Sequence, residues 1–66
     1  MERKILLSDE NKLLIKYVRM GLTNIEIGEE LGYSCHTIKK RLHHLYKLFY
    51  ANGRIDFVNK TSHYSI

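Results

Sequence analysis

Sixty-six residues allow one domain at most, and a chain of this length buries only about 60% of the surface its unfolded form exposes, so its core is thin. Eleven Lys and Arg against seven Asp and Glu give a net charge of +4, and the single cysteine, Cys35, excludes the internal disulfides that staple small secreted domains. The apolar run Ile5-Leu6-Leu7 is too short for a signal-peptide core and nothing approaches membrane-spanning length, so the expected compartment is the cytoplasm.

Proline, low-complexity runs and internal repeats are absent. Strand-like alternation never persists, and the chain reads as all-α with Gly21, Gly28, Gly32 and Gly53 as punctuation. A first helix is expected to start at Ser8, a good N-cap, with Asp9 and Glu10 near its positive end. Leu14, Tyr17 and Val18 form its apolar face, widened by Leu13 and Ile15, and Gly21 ends it in a left-handed conformation.

Thr23-Asn24-Ile25-Glu26 has the form of a capping box and starts a second helix, in which Ile27 and Leu31 face inward. Gly28, inside that helix, costs up to about 1 kcal/mol relative to alanine, so a close crossing by another helix is expected there. Gly32 stops the helix, and Ser34 caps the next. The third helix is expected from about Cys35 to Phe49 or Tyr50. At about 100° per residue, Ile38, Leu42, Leu45 and Phe49 fall within a sector of about 60°, while His36, Lys40, His43 and Lys47 centre on the opposite side. Thr37, Lys39 and His44 flank that polar stripe. Residues 31 to 55 contain Lys39, Lys40, Arg41, Lys47 and Arg54 and no acid. Asn52-Gly53 signals a turn, after which a short fourth helix, about 54 to 60, carries Ile55, Phe57 and Val58. The last residues, TSHYSI, read as a frayed tail.

Two short helices joined by a tight glycine turn, the second amphipathic and basic, make a helix-turn-helix arrangement with its core at 23 to 50 inside a single 1 to 66 domain. An acid-free basic block is the electrostatic footprint of a polyanion partner. Lys39, Lys40, Lys47 and Arg54 would neutralise phosphates. Thr23, Asn24, Ser34 and Thr37, near helix N-termini, would bond phosphate oxygens. Some of His36, Lys39, Lys40, His43 and His44 would read base edges.

Residues 7 to 58 resemble the LuxR/GerE-type DNA-binding domain of bacterial transcription regulators. Leu7-Ser8 looks like that family's start to helix one. Gly21-Leu22-Thr23-Asn24, Glu26-Ile27-Gly28-Glu29 and Leu31 are similar to its central run, Ser34 and Thr37-Ile38-Lys39 to its recognition-helix start, and Arg54 with Val58 to its fourth-helix segment. Arg41 stands where a histidine is common, Leu48-Phe49-Tyr50 replaces Lys-Leu-Gly, and Ile25 stands where a basic residue often meets the backbone. The resemblance implies a four-helix module whose third helix enters the major groove of double-stranded DNA. It also implies that the fourth helix pairs two subunits, here through Ile55, Phe57 and Val58, and that the work is done in a bacterial nucleoid. A free-standing version would be similar to the spore-regulator type, without a sensory input of its own.

Other readings are weaker. Cys35, His36, His43, His44 and His63 lack zinc-module spacing, and no metal or other cofactor is expected. Cys35 is expected to be a small, partly buried residue rather than a redox sensor. Catalysis finds no paired carboxylates, no phosphate-cradling glycine loop and no room for a pocket. Tyr17, Tyr33, Tyr46, Tyr50 and Tyr64 suggest core packing for most rather than base stacking. The serious rival is a helix-turn-helix-shaped protein-interaction module that binds RNA polymerase or another regulator. The final region of bacterial sigma factors, which recognises promoters, is a related alternative. A protein-binding face would show apolar anchors at its centre. The outward face of the third helix shows Lys40, His43 and Lys47, and Tyr50, Phe57 and Tyr64 are the expected exposed apolar residues.

Overall fold

A computed structural model describes residues 6–62. It contains four helices, α1 (Asp9–Arg19), α2 (Asn24–Leu31), α3 (Cys35–Leu48) and α4 (Arg54–Thr61), and no strand among the described residues. The chain is therefore all-α, with α2 packed on α3 and α1 on α4.

Local chemistry fixes the helix starts. Ser8, Thr23 and Ser34 each accept a hydrogen bond from the backbone N–H three residues on, at 3.1, 3.2 and 3.2 Å. These bonds satisfy donors that the first helical turn leaves open. At Thr23 the box closes, because the Glu26 carboxylate accepts from the Thr23 N–H at 2.8 Å. α4 lacks a side-chain cap on Gly53. There the Asp56 carboxylate accepts from the Asn52 N–H at 2.8 Å instead.

The helix ends divide by residue type. Gly21 and Gly32 take φ of 87° and 78°, the left-handed conformation that a glycine adopts without steric cost. After α3 the same role falls to Tyr50, at φ 55°. The Tyr50 N–H donates to the Lys47 carbonyl and the Ala51 N–H to the Tyr46 carbonyl. These are the two bonds of a Schellman cap, made without glycine. The left-handed conformation costs a residue with a Cβ about 1–2 kcal/mol. The Lys60 ammonium donates to the Tyr50 carbonyl and ties this corner to α4.

The buried core takes Leu14, Ile15 and Val18 from α1, Ile27 from α2, Ile38, Leu42 and Leu45 from α3, then Phe49 and Phe57. Phe57 is fully buried, its ring 4.8 Å from Tyr46 and 5.5 Å edge-on from Phe49. Four sequence expectations are corrected here. Phe57 is a core residue, so it supplies neither an exposed anchor nor a subunit contact. Leu13 is exposed rather than part of the α1 inner face. Thr61, expected in the tail, lies in α4 and is fully buried, its hydroxyl donating to the Phe57 carbonyl at 2.9 Å. The tight neighbour of Gly28 is the turn's backbone rather than a crossing helix, since a Cβ there would stand 2.3 Å from the Tyr33 carbonyl oxygen. His63 and Tyr64 lie outside the described residues.

Candidate nucleic-acid interface

The turn from Gly32 to Ser34 sets how α2 presents α3. The Gly32 and Tyr33 N–H groups both donate to the Gly28 carbonyl, at 2.8 and 2.9 Å, and the missing Cβ lets the turn fold back against the helix. Tyr33 then reaches α1, its hydroxyl donating to Glu10 at 2.7 Å. That bond holds the phenol proton above its ordinary pKa. Arg41 bonds the other Glu10 oxygen, and its guanidinium stacks over the Tyr33 ring at 4.5 Å. Three residues from three parts of the chain therefore fix α3 against α1. The sequence showed Arg41 at the edge of the apolar sector but not its partners, because a contact across 31 residues leaves no local signal.

With its apolar stripe buried, α3 turns His36, Lys39, Lys40, His43, His44 and Lys47 to solvent. These six line one shallow groove. A second groove adjoins it, where Thr23, Asn24 and Ile25 at the start of α2 meet Cys35, His36 and Lys39 of α3 and Arg54 of α4. His36 and Lys39 line both. Among the described residues no carboxylate lines either groove.

The sequence-predicted residues are thus largely brought together, with two qualifications of role. Ser34 and Thr37 line neither groove; their hydroxyls lie 3.0 Å apart, bonded to each other. Arg54 is half-buried and its guanidinium donates to the Leu22 carbonyl and, at 3.4 Å, to Asn24 Oδ1. It braces the α1–α2 loop on α4, so its part in a phosphate contact is shared with a structural one.

Four lining residues lie outside the sequence-predicted set: Gly21, Leu22, Ile25 and Cys35. Ile25 is exposed to 62%. It lies about 200° around α2 from the buried Ile27, so the helical period was a usable signal. Cys35 is exposed, against the partly buried position expected of it. It shares the angular sector of Leu42 but is the first residue of α3.

Among the described residues, no helix is long and apolar enough to cross a membrane, and no cluster of His, Cys, Asp or Glu is placed to hold a metal ion. The geometry of α2, the turn and α3 is compatible with a helix-turn-helix. No protein-family model matches the chain, and no curated protein or solved structure matches it.

Proposed function

We propose that the chain binds double-stranded DNA through the outward face of α3 and regulates transcription, as a LuxR/GerE-like domain acting in the bacterial cytoplasm. The observation that carries this reading is the exposed α3 face, six cations and histidines with no carboxylate in either groove beside it. Each lysine that neutralises a phosphate releases counterions and adds about 0.9 to the slope of log affinity against log salt. Lys39 and Lys47 are exposed and fit that role, and Thr23 and Asn24 line the adjoining groove at the start of α2.

Pairing of two copies falls to Ile55, exposed to 80%, with half-buried Val58 beside it on α4. The rival reading, a protein-interaction module for RNA polymerase or another regulator, requires apolar anchors at the centre of the presented face. The α3 face has none, since its apolar residues Ile38, Leu42 and Leu45 are in the core.

Selection from random duplexes at about 0.15 M salt, where nonspecific attraction is screened, tests the proposal. Enrichment of a defined motif is expected, with two inverted half-sites about one helical turn apart if α4 pairs the subunits. A single half-site contradicts the pairing, and no enrichment contradicts DNA reading. On the enriched duplex, Lys40→Ala should weaken binding by about 1–3 kcal/mol.

A further inference from the structure

We infer that the outward face of α3 reads a short run of guanines, with His36, Lys40 and His43 as the base-reading residues. This rests on the DNA-binding reading above and deepens it by naming the sequence class recognised. At about 100° per residue, His36, Lys40, His43 and Lys47 form one stripe about 60° wide, centred away from the buried Ile38, Leu42 and Leu45. All four are exposed. From His36 to His43 the stripe runs about 10 Å at the helical rise of 1.5 Å per residue, about three base steps of 3.4 Å.

The donor and acceptor inventory of that stripe is weighted toward donors. Lysine only donates; histidine donates from one ring nitrogen and accepts at the other when neutral, and donates from both when protonated. Between Cys35 and Leu48 there is no Asn, Gln, Asp or Glu, and the Thr37 hydroxyl is engaged with Ser34. In the major groove guanine presents two adjacent acceptors, N7 and O6. Adenine pairs an acceptor with a donor and is met by Asn or Gln; cytosine presents a donor and is met by a carboxylate; the thymine methyl is met by an apolar side chain. The groove lined by the stripe has none of these. Ile25, the nearby exposed aliphatic, lies in the adjoining groove with Lys39 and Arg54, off the stripe. Lys39 and His44 flank the stripe at about 60° and 80° from His36, angles that direct them toward the phosphate backbones on either side. A surface weighted toward donors is satisfied best by a strand of acceptors.

The motif selected from random duplexes is expected to contain about three consecutive guanines on one strand of each half-site. An enriched motif with an A·T-rich or mixed core overturns this inference and leaves DNA reading in place. Failure to enrich any motif overturns DNA reading, and this inference with it. Lys40→Gln, at an exposed position where circular dichroism should show the helices retained, supplies an acceptor and should convert one guanine of the motif to adenine. The switch should be roughly 5- to 150-fold between the two duplexes. His43→Gln should do the same at a neighbouring step. An unchanged motif in both variants overturns the assignment of these residues.

Discussion

Gly28 is the residue on which the α2–α3 geometry turns. A Cβ would meet backbone, the Tyr33 carbonyl oxygen at 2.3 Å and Tyr33 carbonyl carbon at 3.3 Å, rather than a side chain able to swing away. Gly28→Ala should therefore destabilise the chain despite alanine's higher helix propensity, by about 1–3 kcal/mol from overpacking. Urea denaturation of the variant checks this, and a gain in stability would show that the turn yields. The sequence exposed Gly28 as an anomaly, because glycine inside a helix is unfavourable, but gave no means of telling a crossing helix from a returning turn. Tyr50 is the reverse case. Its residue type hides a left-handed backbone, which only the Schellman bonds around it reveal.

At the scale of the element, α1, α2 and α3 were legible because their caps and apolar periods agree. Ser8, Thr23 and Ser34 cap where expected, and the α3 stripe from Ile38 to Phe49 is buried as its spacing required. α4 was found, yet its faces were assigned wrongly at Phe57. Eight residues give barely two turns, too few for the apolar spacing of Ile55, Phe57 and Val58 to single out an inner side. The α2 cap carries a pH signature. The backbone hydrogen bond from Thr23, and then its side chain, hold the Glu26 carboxylate below the ordinary range. A group with a lowered folded pKa stabilises fully above its unfolded pKa and loses that contribution as pH falls through the folded value. Glu26→Gln keeps an acceptor oxygen but cannot ionise. Its stability should lie below that of the natural chain near neutral pH, with the gap closing in acid; a gap constant with pH, read from denaturation midpoints, would separate the cap from ionisation.

Over the whole molecule, charge and burial are arranged together. Glu10 neutralises Arg41 where α1 meets α3, and Asp56 pairs with Lys60 at 3.4 Å on α4, while the α3 face keeps its lysines and histidines without acids in the grooves. That separation was legible from the acid-free block 31 to 55 combined with helical period. The second groove was legible only in part, since Arg54, Ile25 and Cys35 meet there through tertiary packing. The most direct test of a DNA-facing α3 is amide chemical-shift mapping while a duplex carrying the selected motif is titrated into the labelled protein. The largest shifts should fall on His36, Lys39, Lys40, His43 and Lys47, with Thr23 and Asn24 next and the outer face of α1 little changed. Shifts concentrated on α1 or α4, with the α3 amides unmoved, would contradict it.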